Sequence, residues 1–307
     1  MAVSDITHPF QGTAWYWVEA SYGGGESGTT NPISKYIQDV KVGTGDKGKD
    51  VRSIESAVVI ERIEQTDEPT VSVEYNPQAD DTLIDDVIDR DSCCVLQSLA
   101  FCFGANTCTG AGTDDETYYY AIGCKPSTVR IAGSKNEPYT VTVDFLAKSV
   151  TTSVDPTGSA PADLSGDILQ FNVAGSITKT GGFNPTGSKI AYITNSIDIT
   201  ISHQLTGYTD HDSKTKSYLV EGTMDVSGTV DITLDGGGGM HFGEVQNFTD
   251  FSITINMGDS GSPRIQLADC NWDNSEVNIN VSGEAMMESA PFTAAPSSCS
   301  NLVDSVP

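Results

Sequence analysis

Short runs in which apolar and polar residues alternate recur along almost the whole chain, and each run is bounded by Gly, Pro, Asn, Ser or Thr. TVSVEYNP (Thr70–Pro77) and FSITINM (Phe251–Met257) are typical. Because successive side chains of a strand point to opposite faces of a sheet, such runs predict strands with one buried and one wet face. The predicted strands are Ala14–Ser21, Ser56–Glu64, Thr70–Pro77, Thr117–Gly123, Ser127–Ala132, Pro138–Ser149, Ile168–Ile177, Ile190–Ser202, Ser217–Leu234, Phe251–Met257, Arg264–Asp269 and Glu276–Met286. We therefore expect a mainly β protein, with a β-sandwich or a β-barrel as its architecture.

Two local features refine this expectation. The runs Ser56–Glu64 and Thr70–Pro77 flank the turn TDEP, which predicts a β-hairpin. One flanking helix is predicted to start near Asp80 or Asp81, where acidic residues favour the helix dipole. Its apolar face contains Leu83, Ile84, Val87 and Ile88. A break near Asp91 is left open, since residues 93–103 fit either a helix or a buried strand.

Composition divides the chain into five parts. Residues 1–50 are predicted to form an N-terminal strand and a flexible arm, and residues 51–150 a first β-rich half with the helix. The stretch 151–165 is poor in large apolar residues and is the candidate linker; residues 166–290 form a second β-rich half, and residues 291–307 a tail. The halves share a rough plan, so two duplicated domains and one domain with long insertions both stay open.

Acidic residues dominate the charge. The chain has 42 Asp and Glu against 16 Lys and Arg, a formal net charge of −26. Such a chain repels nucleic acid and anionic membranes. The repulsion within the chain is screened at molar salt, where the Debye length falls to about 3 Å, so a high-salt environment is one interpretation and an ordinary acidic protein the other. No apolar run reaches the length of a membrane helix, and MAVSDITHPF does not resemble a signal peptide.

GDSGSP (Gly258–Pro263) resembles the nucleophile loop of chymotrypsin-like serine proteases. Ser260 would then need a histidine base in a matching upstream context, and His8, the one histidine of the first half, stands in the unrelated context ITHPF. His203, His211 and His241 are in the same half as Ser260. We therefore interpret the hexamer as a hairpin turn and expect no catalytic residues and no enzyme activity.

Seven cysteines, an odd number, argue against a fully paired disulfide framework. Cys93, Cys94, Cys102 and Cys108 have a spacing unlike that of zinc knuckles and lie among large apolar residues. Core packing is the favoured interpretation, and a disulfide between Cys102 and Cys108 and a metal site are the alternatives.

Three further stretches have residues found in ligand sites, and none is expected to bind a metal or cofactor. Asp269–Asn274 begins like a calcium loop but has Asn274 in place of the glycine and Asn280 in place of the bidentate glutamate, which favours a turn between strands. Asp210–Asp212 is expected to be a solvated loop, and Asp235–Gly243 a flexible one without a phosphate-binding signature.

The order of these patterns resembles the tail tube (major tail) proteins of long-tailed viruses and phages. The segments that carry the resemblance are YNPQADDTLIDDVI, YYYAIGCKPSTVRIAGSKNEPYTVTVDFLAKS, ITNSIDITISHQL, LVEGTMDVSGTVDITL and FTDFSITINM. The resemblance covers most of residues 50–290 and implies a β-sandwich or barrel with a flanking helix.

The resemblance also implies that copies of the chain join their sheets into rings, either six one-domain or three two-domain protomers. The rings would stack through a flexible arm into a tube that conducts the genome during ejection, with other tail proteins at the tip and the head-proximal end. DNA would pass without specific binding, and the protein, made in the host cytoplasm, would end in the virion tail. With the acidity, the resemblance points to a virus of halophilic archaea.

Two alternative functions stay open at this stage. One is another virion or cell-surface β-structural protein, of the S-layer or fibre kind. The other is a glycan-binding β-sandwich, for which Trp15, Trp17 and Trp272 would have to form an exposed platform.

Overall fold

The computed structural model describes residues 13–26, 28–45, 48–52, 59–64, 67–91, 94–108, 114–171, 177–181, 194–213, 215–233, 245–246, 250–257, 263–274, 276–278, 287–295 and 303–305. Within these ranges the side chains of residues 48–52, 59–64, 106–108, 114–116, 177–181, 263–264, 277–278 and 303–305 are outside the description.

The described chain is almost entirely β. Its strands are β1 (Thr13–Val18), β2 (Asn31–Pro32), β3 (Ile37–Gly43), β4 (Gly48–Arg52), β5 (Val59–Glu64), β6 (Thr70–Tyr75), β7 (Leu99–Cys108), β8 (Asp114–Ser134), β9 (Thr140–Leu146), β10 (Ser149–Ser153), β11 (Ile177–Gly181), β12 (Thr194–Tyr208), β13 (Tyr218–Thr233), β14 (Phe251–Asn256), β15 (Pro263–Trp272), β16 (Glu276–Asn278), β17 (Met287–Ala294) and β18 (Val303–Ser305), and the helix α1 is Leu83–Ile88. The mainly β expectation is confirmed.

Strand β8 organises the sheet because it belongs to two layers. Its first part pairs with β7 and β10, and its second part pairs with β9 and β12, all antiparallel. Gly123, between the two parts, has φ +64°, a conformation that favours glycine. A Cβ there would lie 2.6 Å from Cβ of Lys148. The glycine thus lets one 21-residue strand change layers without a loop.

Among the described strands, all except the β4–β5 pair belong to one 16-stranded antiparallel sheet. The sheet folds back on itself so that the apolar faces of β6, β9, β8, β12 and β13 meet those of β14, β15 and β17. Val73, Val129, Ile201, Ile253 and Phe292 are all buried in this shared core. The result is a β-sandwich, and strands from both predicted halves form it, while the division into two domains stays a prediction.

A second, smaller core lies on the other side of β1 and β7. Tyr16 points into the main core, whereas its neighbours Trp15 and Trp17 pack with Cys102 and Tyr118 in the smaller cluster. This split follows from the alternation of side chains along a strand. All three tryptophans of the chain are buried, so they form no exposed glycan-binding platform.

The stretch 151–165 covers the smaller core. Trp15 donates its indole N–H to the carbonyl of Thr157 at 3.2 Å, and Gly158 sits against Trp17, where a Cβ would come within 2.7 Å of the ring. At the far end, Asp80 accepts hydrogen bonds from the amides of Ser165 and Gly166. The candidate linker is therefore fastened at both ends to the first half of the chain.

Three predicted elements were wrong in detail. The helix spans only Leu83–Ile88, although its four apolar residues are buried as predicted, and residues 99–108 form β7. The hairpin between Ser56–Glu64 and Thr70–Pro77 does not form, because β5 pairs with β4 while β6 pairs with β3 and β9. The runs Thr117–Gly123 and Ser127–Ala132 are parts of the single strand β8.

The second half also departs from the predictions at three places. Ile168 and Gln170 make only isolated bridges, so the expected strand does not begin at Ile168, and its residues 172–176 lie outside the described residues. Asn271 and Trp272 continue β15, whereas a turn was expected there. Strand β17 occupies residues that the sequence divided between the second half and the tail, since its Pro291 did not suggest a strand.

Candidate assembly surfaces

One face of seven adjacent strands is mainly polar. The register of β3, β6, β9, β8, β12, β13 and β17 places small polar and acidic side chains on this side, opposite the main core, together with Lys41, Arg130, Ala132 and Pro291. Strand by strand they are Asp39 and Lys41; Ser72 and Glu74; Thr140, Thr142 and Asp144; Thr128, Arg130, Ala132 and Ser134; Ser196, Asp198, Thr200 and Ser202; Asp225, Ser227, Thr229 and Asp231; and Ser289, Pro291 and Thr293. We call this set the polar sheet face.

The polar sheet face is acidic, because its carboxylates outnumber its two cations, Lys41 and Arg130. Arg130 binds both carboxylate oxygens of Asp198, and its Nε lies 3.0 Å from each. Lys41 pairs with Asp39 at 2.6 Å. Hydrogen bonding to these partners raises the pKa of both cations, so both stay charged at neutral pH. The cations are thus neutralised locally, which leaves the negative charge of the other acids.

The polar sheet face is also hollowed. Arg130, Asp198, Ser227, Asp231 and Pro291 line a shallow depression that crosses β8, β12, β13 and β17. Small side chains such as Ser, Thr and Gly keep the centre of the sheet low. A hollowed, acidic surface whose two cations are both paired with carboxylates has little to attract a phosphate backbone.

A hairpin formed by the ends of β12 and β13 projects beyond the neighbouring strands. Pairing of β12 with β8 stops at Ser202, and pairing of β13 with β17 stops at Val226. Near its tip Tyr208 and Tyr218 stack at 5.7 Å and are 48% and 51% exposed, with Val220 beside them also exposed. We call residues 203–208 and 218–225 the distal hairpin.

The distal hairpin is anchored by buried charges. Lys125 of β8 pairs with Glu221, and the Lys216 side chain lies buried against Gly207 with its Nζ 3.5 Å from Glu68. A β-bulge puts two residues of β13, Gly222 and Thr223, opposite one residue of β12. Arg90 donates to the Gly222 carbonyl at 2.8 Å, which satisfies an acceptor that the bulge removes from the ladder.

The glycine-rich segment after β1 is held by one carboxylate. Glu19 is buried and accepts hydrogen bonds from the amides of Gly23 and Gly25, each at 2.9 Å, and from the amide of Gly123 at 3.2 Å. Ser98 donates its hydroxyl to the same carboxylate at 2.5 Å. The start of the predicted flexible arm is therefore pinned to the sheet.

The pair β4–β5 is a separate two-stranded sheet inserted between β3 and β6. The β3–β6 pairing ends at the residue pair Gly43 and Thr70, and the β4–β5 pairing begins at the pair Gly48 and Glu64. Of the predicted arm, residues 41–43 thus belong to β3, and the insertion includes residues 48–50 at the start of β4.

The beginning of α1 buries two carboxyl groups. Asp81 accepts a hydrogen bond from the amide of Leu83 at 2.9 Å, and Asp86 accepts one from the hydroxyl of Tyr16 at 2.9 Å. Burial raises the pKa of Asp81 to about 7 and that of Asp86 to about 6. Asp80, next to Asp81, has its pKa lowered: burial opposes the shift, but the amides of Ser165 and Gly166 outweigh it.

Three of the described cysteines pack in the core. Cys102, Cys124 and Cys270 have free, buried thiols, and burial raises the pKa of all three. Cys102 and Cys108 are on the same extended strand, about 20 Å apart, so the disulfide considered between them is not formed. Cys94 takes part in a disulfide.

The described residues hold no group of three or more metal-ligating side chains. His203 is buried against Arg90, and His211 and Asp212 form an exposed pair. The other protease and loop candidates, His8, His241, Ser260 and residues 235–243, lie outside the described residues. Strands β14 and β15, which flank GDSGSP, pair as the hairpin interpretation requires.

Within the described part of the chain, no helix combines the length and apolarity that crossing a membrane requires.

Comparison with known proteins gives a family match that covers most of the β-sandwich. The chain matches no curated protein. A family model described as phage tail tube protein matches residues 20–294, which include every strand from β2 to β17. The match extends over most of the chain, and the chain belongs to the phage tail tube protein family.

Proposed function

We propose that copies of this tail tube protein join side by side into rings, and that the stacked rings form a tube whose bore is lined by the polar sheet face. The genome passes through this bore during ejection into the host. The single observation that carries the proposal is the polar sheet face itself, a wall of seven strands with acidic and hydroxyl side chains that is hollowed where β8, β12, β13 and β17 cross it.

The charge of this face suits passage of DNA. Binding of DNA depends on Lys and Arg at the phosphates, and here Lys41 and Arg130 are both paired with carboxylates. The duplex is repelled from the wall and slides without specific binding. The subunit acts as a structural protein with no catalytic role and no cofactor.

Assembly into rings also explains the open strand edges. Exposed edges are prone to aggregation unless another strand pairs with them, and a closed oligomeric barrel removes them. Contacts between stacked rings would come from the arm around residues 22–32 and from the stretch 41–50, which includes the end of β3 and the start of β4. Other tail proteins cap the tube at its tip and at the head-proximal end.

The two β-rich halves would be two tube-like units of one protomer, joined through the 151–165 segment. The chain is made in the host cytoplasm and ends in the virion tail. Its net charge of −26 would be screened at molar salt, which fits a virus of halophilic archaea.

Negative-stain microscopy and light scattering of the purified protein at high salt test the proposed function. We expect rings or tubes with a central hole. A monodisperse monomer at high concentration under every salt condition contradicts it. Melting curves from low to molar salt test the halophilic origin, which a salt-independent midpoint contradicts.

A further inference from the structure

We propose that Lys125 couples the distal hairpin to the first residues of the arm, so that the order of one segment depends on the order of the other. We call residues 22–25 the arm start. This inference goes beyond the proposed function, because it concerns a single protomer and holds whether or not protomers form rings. It rests on contacts that run from Tyr22 across β8 to Glu221 of the distal hairpin.

The ring of Tyr22 packs on β8 at the point where this strand changes layers. A Cβ on Gly123 would come within 3.1 Å of the ring, which shows how closely the two approach. The ammonium groups of Lys125 and Lys148 lie 5.8 and 5.6 Å from the ring centroid, within the range of a cation–π contact. Tyr22 therefore brings the arm start into contact with Lys125.

The rest of the arm start is fixed to the same part of β8. The Glu19 carboxylate accepts hydrogen bonds from the amides of Gly23 and Gly25. It also accepts one from the amide of Gly123, which is two residues before Lys125 in the chain. Glu19 is buried, and hydrogen bonds to a charged acceptor are stronger than neutral ones. One carboxylate thus ties the position of the arm start to the position of β8 beside Lys125.

On its other side Lys125 holds the base of the distal hairpin. Its ammonium group pairs with the carboxylate of Glu221, and the two side chains are only 7% and 12% exposed. A buried ion pair depends on both partners, because removal of one leaves an uncompensated charge away from water. The same ammonium group therefore contacts Tyr22 of the arm start and Glu221 of the distal hairpin.

A second connection joins the same two segments. Arg90 donates to the carbonyl of Gly222, which is next to Glu221 in the distal hairpin. Arg90 also forms a β-bridge with Leu96, two residues before Ser98. The hydroxyl of Ser98 donates to the same Glu19 carboxylate that holds the arm start. Both routes lead from the base of the hairpin to the arm start.

The distal hairpin is the segment that can respond to this coupling. In the described part of the chain its two strands pair only with each other, since pairing with β8 and β17 stops at Ser202 and Val226. A segment with few attachments outside its own ladder opens locally at a low cost in free energy. A partner that draws Tyr22 away from Lys125 would therefore loosen the hairpin, and linkage makes the effect reciprocal.

Hydrogen exchange of the unassembled full-length chain tests the coupling from the side of the arm. Tyr22→Ala removes the ring from Lys125, and we expect amides of residues 218–223 to exchange faster by about threefold or more. Tyr22→Phe is the matched control, because it keeps the ring and removes a hydroxyl that has no hydrogen-bond partner among the described residues. It should leave the hairpin unchanged. Unchanged exchange of the hairpin in Tyr22→Ala overturns the proposal.

Glu221→Gln tests the coupling from the side of the hairpin. We expect the amides of Gly23 and Gly25, which are bonded to Glu19, to exchange faster by about threefold or more. Glu68→Gln is the control, since it removes the acidic partner of Lys216 beside the same hairpin without touching Lys125, and it should leave the arm start unchanged.

Amides of β9, which pairs on both sides within the protomer, report on unfolding of the whole chain in the same experiment. In Glu221→Gln the exchange of the arm start should rise more than that of β9. The coupling is wrong if the two rise equally, or if Glu68→Gln accelerates the arm start as much as Glu221→Gln does.

Discussion

The guanidinium of Arg90 lies 3.2 Å from Nδ1 of His203, and both side chains are buried. Two groups that can each be cationic thus share one site, and the arrangement holds only while His203 is neutral and its Nδ1 accepts. Burial, and then the charge of Arg90, lower the pKa of His203 to about 4, and Glu221 opposes the shift weakly.

This contact predicts a loss of stability at acidic pH. The unfolded chain binds a proton at His203 near pH 6.5, whereas the folded chain does so only near pH 4. The contribution to stability is therefore complete above pH 6.5 and is lost as the pH falls towards 4, by about 3 kcal/mol. Urea unfolding from pH 4 to 8 gives the slope of the unfolding free energy against pH. We expect His203→Gln to lower this slope and His211→Gln, at an exposed site, to leave it unchanged. Equal slopes for all three proteins would contradict the prediction.

The buried carboxyl group of Asp81 predicts that stability depends on pH in the opposite direction. Its pKa is raised to about 7, so the folded chain binds the proton more tightly than the unfolded chain, and stability falls as the pH rises from about 4 through 7. Asp81→Asn keeps the side-chain oxygen that accepts from Leu83 and removes the buried charge. We expect it to raise the free energy of unfolding at pH 8 by about 1 to 2 kcal/mol and to have little effect at pH 4.

Asp80→Asn is the matched control for that variant, because the neighbouring carboxylate is stabilised by the amides of Ser165 and Gly166. Removing its charge should instead lower stability at pH 8, by about 1 kcal/mol. If both substitutions shift the unfolding free energy in the same direction, the assignment of the two environments is wrong.

The close contact between Gly158 and Trp17 predicts that a side chain at position 158 would loosen the 151–165 segment. Its φ is +77°, and a Cβ would lie 2.7 Å from the ring of Trp17. Gly158→Ala should cost about 1 to 3 kcal/mol and expose the segment to limited proteolysis. Gly28→Ala has the same kind of backbone strain, at φ +94°, but nothing within 4 Å of the added Cβ. It should cost less and leave the segment resistant; equal cleavage in both variants would argue against the packing role.

The polar sheet face predicts how the tube treats DNA. Asp144→Lys with Asp225→Lys puts two cations on this face, and assembled tubes should then bind duplex DNA, more weakly as salt increases. Asp155→Lys with Asp163→Lys makes the same change in net charge on exposed positions of the 151–165 segment and should not create binding inside the bore. Binding is measured by co-sedimentation at salt concentrations that keep the tubes assembled. Equal binding by the two double variants would count against the proposed bore.

The sequence predicted the faces of strands well because alternation is a local property. Val73, Val129 and Ile201 point into the core and Glu74, Arg130 and Thr200 to water, as their alternation requires. The acidity of the polar sheet face could be predicted in part, since the total charge and the polar half of each run are visible in the chain. The hydrogen bonds from Ser98 to Glu19 and from Arg90 to Gly222 could not be predicted, because they join residues that are 79 and 132 positions apart in the chain.

The sequence by itself determined a mainly β chain, the side of each strand that is buried, and a negative surface, since these depend on residue type and on a period of two. Only the tertiary structure decided which strands pair. It placed β6 between β3 and β9 instead of beside β5, ran β8 through two layers at Gly123, and aligned seven polar faces into one wall. The physical reason is that strand pairing joins residues far apart in the chain, and its free energy depends on the whole core that the paired strands enclose.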